Sequence, residues 1–412
     1  MSPSIKAAIR RARFRKQPAP LRFAFADRID FLDGARWDRV TAHRGVLMQR
    51  AYFRELERAR PANLDLRYAL LCREDEPVAA LAMQLVAVDG SSLRRDQPRA
   101  GLRGLAARAV GQVTERLAAR VLVVGNVLTY GNHGIAIAPG LEREPDVWHG
   151  IGEAAYRVRR AEKHAGSADF VLVKDLTAAE MADSRLLHDL GFRPVATEPN
   201  MVLALAPGWR GHADYLAALS SKYRKTVRTR VLEPIDAAGL VLAPIADVVA
   251  ASARLHELYL AVHDHAKLRP VTLGPGYWAA LQRGAGDRVR FAGLSRRDRL
   301  VGFIVTLRDD GDTAIGYHIG FDREVAAELP LYLRLLHRTI EDGIALGARR
   351  VSLGRTALEP KAMLGAKPEP LHVWVRHRQP VLNKLLRALL SRIHHDEAPE
   401  RNPFGKEARA AE

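Results

Sequence analysis
The sequence predicts an α/β protein made of two similar units, and three observations carry that prediction. A chain of 412 residues with 48% hydrophobic content is too long for one ordinary core and rich enough for two. Helical and strand periodicities alternate in one order up to residue 206, and a similar order returns after it. The pair Pro207–Gly208 punctuates the junction.

Each element has a local reason. Residues 37–58 read as a helix ending before Pro61. Residues 66–72 and 78–88 alternate or run apolar as two strands around the charged turn 73–77. Residues 89–104 are polar and rich in Gly and Arg, as in a loop. A strand is expected over 120–124, followed by the Gly-rich stretch 125–140. A helix over 147–164, a strand over 170–173 and a short helix over 185–190, stopped by Gly191, come next. Residues 195–205 supply the last strand or strands of the unit.

The second unit opens with helices over 215–231 and 248–263. Strands over 289–294 and 300–307 flank the charged turn 295–299, and a third strand spans 313–319. A long amphipathic helix over 329–346 leads into a strand at 351–353. That strand turns at Gly354, Arg355 and Thr356 and presents Lys361 and Lys367 around Gly365. A strand that follows a helix and ends in Gly and polar groups is a common place for chemistry in α/β enzymes.

Composition narrows the partners. No run of about 18 apolar residues is present, so a transmembrane helix is not expected. The basic N-terminus lacks the apolar stretch and small-residue cleavage site of a secretory signal. One cysteine, Cys72, excludes an internal disulfide and fits a reducing cytoplasm, with a buried core position as its role. A formal charge of +17 points to acidic partners. Residues 1–16 hold six basic and no acidic side chains. Residues 381–395 form a basic amphipathic pattern that fits a helix lying on an anionic membrane, peripheral to its inner face, or one docked on its own domain. No His-Glu-x-x-His, Walker, Gly-x-Ser-x-Gly or dinucleotide pattern occurs. Metal hydrolase, kinase, serine hydrolase and dehydrogenase readings are therefore unsupported.

The element order, with LLHDLGF at 186–192, resembles the GNAT acetyltransferase fold. The run FDREVAAELPLYLRLLHRTIEDGIALGARRVSLGRT at 321–356, followed by EPKAMLGAK at 359–367, resembles the acyltransferase domain of FemAB-like proteins. SKYRKTVRTR at 221–230 is similar to the basic helix that opens that domain, and GNVLTYGNHGIA at 125–136 to the family's first half. The resemblance spans nearly all of residues 20–380. It implies two tandem GNAT-like (acyl-CoA N-acyltransferase) domains, each a mixed, mostly antiparallel sheet flanked by helices. The expected division is a basic tail 1–19, a first domain 20–206, a second domain 207–378, and a C-terminal helix and tail 379–412. Three features depart from the family pattern. No long helical hairpin is inserted, Pro360 stands where many relatives carry an aromatic residue, and no Arg/Gln-x-x-Gly-x-Gly/Ala pyrophosphate loop is present.

Amine acylation needs a deprotonated nucleophile, donors for the developing oxyanion and an acid for the leaving group. Tyr317 and His318 on a central strand are the catalytic candidates, against ordinary strand packing or a satisfied histidine. Arg355 and Lys361 after a buried strand, and Arg224 and Arg228 one helical turn apart, are candidates for anionic groups of the donor, against solvated surfaces. Asn126 and His133 in the Gly-rich loop, and Tyr332 on the long helix, are candidates for substrate contacts. The resemblance implies acyl-CoA as co-substrate, without a tightly bound cofactor, and a small or envelope-linked amine as acceptor. Aminoacyl-tRNA as donor is the alternative, and a non-catalytic binder of anionic lipid or nucleic acid is the alternative of another class.

Overall fold
The computed structural model describes residues 17–88, 119–266, 269–309, 312–384, 399 and 401–405. The basic stretch 1–16, the loop 89–104 and most of the amphipathic stretch 381–395 lie outside the described residues. No helix among the described residues is long and apolar enough to cross a membrane.

The first part of the chain runs β1 (Arg22–Ala26), α1 (Gly34–Thr41), α2 (Arg50–Arg58), β2 (Leu64–Arg73), β3 (Glu76–Val88), β4 (Ala119–Val124), β5 (Ile135–Ile137) and α3 (Pro145–Ala161). It continues with β6 (Ala168–Leu176), α4 (Ala178–Asp183), α5 (Leu186–Asp189), β7 (Arg193–Ala196) and β8 (Asn200–Ala204). The second part runs α6 (His212–Ala218), α7 (Ser221–Val227), α8 (Glu233–Ala237), β9 (Leu240–Pro244), α9 (Val248–His263), α10 (Tyr277–Ala285), β10 (Val289–Arg296) and β11 (Arg299–Arg308). It ends with β12 (Thr313–Phe321), α11 (Arg323–Glu328), α12 (Leu331–Ala345), β13 (Arg350–Ser352), α13 (Leu358–Met363), β14 (Lys367–Glu369) and β15 (His372–His377).

These strands form two mixed sheets flanked by helices. One has the order β1-β2-β3-β4-β6-β15-β7, with β5 beside β3, and the other the order β14-β8-β13-β12-β11-β10-β9. Among the described residues all strand pairings are antiparallel except β4 with β6 and β12 with β13. The sheets do not divide where the chain passes residue 206. Strand β8 pairs with β13 and β14 in the second sheet, and β15 returns between β6 and β7 in the first. A single apolar core joins the units: Trp37, Tyr52, Phe53 and Tyr68 pack in one cluster with Tyr259, Trp278, Phe303 and Tyr317. Cys72 is buried in that cluster as a free thiol.

Local chemistry explains some boundaries, and contacts distant in sequence explain others. The β10–β11 hairpin closes through Arg297 and Asp298, both at positive φ (49° and 63°), the twist that two-residue hairpin turns need. Asp247 caps α9 by accepting from the Ala250 N–H. Two expected helices are broken. The helix expected over 37–58 is two, α1 and α2, because Gly45 comes against Asp309 of the second unit, and the Val46 N–H bonds the Asp309 carbonyl. The helix expected over 215–231 is interrupted at Leu219, which is extended and bridges Phe404, while the Ser220 N–H bonds the Pro403 carbonyl. Beyond it the helix widens into a π turn over Arg228–Leu232, just before Pro234. Proline lacks an N–H and crowds the carbonyl four residues back, which displaces the normal helical bond.

Candidate active site
The parallel pair β12–β13 opens after three residues. Its register covers Thr313, Ala314 and Ile315 against Arg350, Val351 and Ser352. Beyond Ser352 the chain stays with β8: the Leu353 N–H bonds the Met201 carbonyl, and the Met201 N–H bonds the Gly354 carbonyl. Strand β12 stays with β11 as far as Phe321 opposite Gly302. The two strands therefore separate because each keeps its other neighbour. In the first sheet the matching pair β4–β6 is zipped further, to Val124 opposite Val173.

One wall of the opening is β12, which carries a bulge: His318 faces Val305 and Gly316 faces Thr306, leaving Tyr317 as the extra residue. Its side chain is buried, and its hydroxyl lies 2.5 Å from that of Tyr277 and 3.4 Å from that of Tyr52. Tyr52 in turn accepts from Asn126 Nδ2 at 3.1 Å, and Gln84 Nε2 donates to Asn126 Oδ1 at 3.2 Å. This chain of buried polar groups crosses from one unit to the other. Burial raises Tyr317 well above the ordinary tyrosine pKa, so the phenol stays protonated at neutral pH. His318 sits among Tyr259, Tyr277, Trp278 and Tyr317 with ring centroids 4.3–6.0 Å away, and its Nε2 is buried without a partner among the described residues. Burial, with His263 nearby, pushes its pKa down to about 3. Burial thus sets both expected base candidates, Tyr317 and His318, away from the neutral range. One group holds its proton too tightly and the other too weakly for the neutral range.

A Tyr317→Phe substitution is expected to lower stability by about 1–2 kcal/mol, the scale for losing one buried hydrogen bond. Urea unfolding of the two proteins measures it.

The other wall is the Gly354 turn. Asn200 Oδ1 accepts from Ser352 Oγ at 3.0 Å and from the Gly354 N–H at 3.1 Å. Gly354 has φ 82°, and a Cβ there would lie 2.6 Å from the Tyr130 ring, so the site needs glycine for conformation and for space. Tyr130 comes from the first unit, and the Arg355 guanidinium lies 5.7 Å from its ring centroid. Arg355 also pairs with Asp175, which pairs with Lys174 and accepts the Gly131 N–H at 3.1 Å. Lys174 donates to the Thr129 carbonyl at 2.7 Å. Arg355 was expected to be open to an anionic donor group. It is instead committed to a fully buried carboxylate, and its Nε is buried without an acceptor among the described residues.

Lys361 differs from these. It lies on α13, directly after the turn, is 3% exposed, and makes no hydrogen bond or ion pair among the described residues. Burial lowers its pKa to about 7, against a smaller opposing pull from Glu198. Burial thus brings this amine toward the neutral range.

The remaining candidates separate. Tyr332 begins α12, packs against Phe321 and is held protonated by burial, with Tyr130 close enough to add to the effect. Asn126 belongs to the inter-unit polar chain. His133 is buried, with Nε2 2.7 Å from the Tyr130 carbonyl and Nδ1 3.3 Å from Asp309, so it ties the loop to the second unit. Arg224 is exposed and donates to the Ala217 carbonyl at 3.1 Å, and Arg228 pairs with Glu233 at 3.2 Å. Asp175, Lys174, Tyr130, Tyr52 and Tyr277 escaped the sequence reading. A charged pair closing an apolar strand, VLVKDL, was the available signal for the first two.

Residues 221–362 match the acetyltransferase (GNAT) domain family. Among solved structures the chain is similar to FemX, at 10% identity over 87% of this chain and 98% of that one, with a TM-score of 0.54. It is also similar to a tandem GNAT protein from the clavulanic acid biosynthesis pathway, at 13% identity over 87% and 99%, with a TM-score of 0.51. At these identities the likeness establishes the tandem GNAT fold. No curated protein sequence matches the chain.

Proposed function
We propose that the protein is an N-acyltransferase that works through the opening between β12 and β13 of its second unit. The observation that carries this reading is the early separation of those strands inside the segment that matches a GNAT domain. The donor we favour is an acetyl or longer acyl thioester of CoA, and the acceptor is an amine of a small or envelope-linked molecule. The acceptor nitrogen bonds to the acyl carbon and loses a proton, while the C–S bond breaks and the thiolate takes one. Lys361, poised near pH 7, is the residue we assign to that proton traffic. The first unit supports the site from outside: Tyr130 backs the Gly354 turn, and Asp175 anchors Arg355.

Purified protein incubated with an acyl-CoA panel, amine acceptors and a thiol reagent should release free CoA. The rate should rise with pH through about 7 and level above it, because the neutral lysine is the form that accepts a proton. Absence of both turnover and CoA binding overturns the reading.

A second donor, aminoacyl-tRNA, is favoured by the exposed basic run Lys222, Arg224, Lys225, Arg228 and Arg230. Filter binding of charged tRNA should then fall steeply with salt and weaken in Arg224→Ala. A flat salt response removes this donor.

A further inference from the structure
The second sheet has another end. The opening lies beyond Ile315 and Ser352, whereas the start of β12, the end of β11, the start of β10 and the end of α12 meet at the opposite edge. A cleft of about 710 Å³ lies there, between the turn after α1 in the first unit and these strand and helix ends. That size suits a small molecule.

Its lining is basic. Arg44, Arg288, Arg290 and Arg308 face it together with two carboxylates, Asp287 and Asp309. Asp309 is engaged by His133. Two of the guanidiniums bond neutral groups: Arg44 donates to the Asn132 carbonyl, and Arg308 to the Leu346 carbonyl at 2.7 Å. The Arg308 bond also covers the negative end of α12. Arg290 reaches the buried Asp342 with its charge but has its Nε buried without an acceptor among the described residues, and the exposed Arg288 lines the cleft with no hydrogen bond or ion pair among the described residues. His43 is kept below the ordinary histidine pKa by burial and by Arg44, so it adds a neutral ring. A solvated basic rim leaves its guanidiniums in water, but a buried, unfilled Nε does not fit that picture.

We propose that this cleft binds a phosphate-bearing small molecule, with Arg288 and Arg290 as its anchors and Arg44 closing from the first unit. Guanidinium forks match phosphate oxygens in pairs, and a ligand bridging the units adds a cross-link to their junction. The site is separate from the acyl opening.

Isothermal titration of the full chain with inorganic pyrophosphate and with ADP at low salt tests it. The wild type should bind at least one probe, and Arg288→Ala/Arg290→Gln should weaken that binding by about tenfold or more, the scale for losing charged hydrogen bonds. Arg288→Ala alone, at an exposed position, serves if the double variant fails to fold. Lys361→Met and Arg224→Ala should bind as the wild type does, which separates this cleft from the acyl opening and from general surface charge. Tighter binding of ADP than of pyrophosphate identifies a nucleotide, and equal binding a phosphate group alone; either supports the proposal. No binding of either probe, or equal binding by the arginine variants, overturns it and leaves the acyltransferase reading untouched.

Discussion

Asp175→Asn is expected to destabilise the protein by about 3–5 kcal/mol, the range for breaking a buried ion pair from one side. Asp175 is fully buried, and one carboxylate serves both Lys174 and Arg355. Burial pushes its pKa up, but Lys174 and Arg355 outweigh that and hold it below the ordinary carboxylate value. Lys174 is lowered in turn, by its own burial and by Arg355, against the pull of Asp175. The two directions agree with one anion shared by two cations: the surplus positive charge falls on the lysine. Asparagine keeps the shape and tolerates the left-handed backbone at this position (φ 59°), so the substitution isolates the charge. The sign of the pH effect follows. A carboxylate whose folded pKa is depressed contributes stability above its unfolded pKa, and loses it as pH falls through the folded value. The gap between wild type and Asp175→Asn should therefore be full at pH 6 and shrink below about pH 3.8. Urea midpoints at pH 6 and at pH 3 measure it, and an undiminished gap at pH 3 would refute the charge explanation.

The fate of Arg355 shows what sequence reasoning can and cannot reach. A charged residue after a buried strand stands out in the sequence, but its partner sits 180 positions earlier, on β6 of the other unit. Local pattern located β10, β11, α9 and α12 because their periodicities and turn residues act within a few positions. The exchange of β8 and β15 between sheets was out of reach. A strand reads the same whichever sheet receives it. The break at Leu219 was hidden for a similar reason, since it answers to Pro403 and Phe404. For the site, residue types were legible and their environments were not. Tyr317 and His318 are the right kinds of group for acid–base work, yet Tyr52 and Tyr277, distant in sequence, decide their desolvation. For Lys361 the sequence supports only a contact with an anionic group of the donor, because burial on a short helix after a turn has no signature in composition.

Lys361→Met should abolish most turnover and, at the same time, stabilise the fold. The lysine is buried without a partner among the described residues, so its ammonium form is carried at a cost. A fall from 10.5 to about 7 corresponds to on the order of 5 kcal/mol for the charged form at low pH. Between those values the unfolded chain binds the proton and the folded chain does not, so wild-type stability rises with pH across that window. Methionine has nothing to titrate and fills similar space, and the unbranched thioether adapts to the gap. The variant should therefore gain several kcal/mol at pH 6 by this linkage. The gain should decline steadily above pH 7 and vanish near 10.5. Loss of the assigned proton transfer should cost about 10²–10⁴ in rate, the usual range for general acid–base catalysis. Activity and stability must move in opposite directions for the assignment to stand. A gain that is the same at pH 6 and pH 9.5 would show that packing rather than charge is responsible, and unchanged turnover would remove Lys361 from the chemistry.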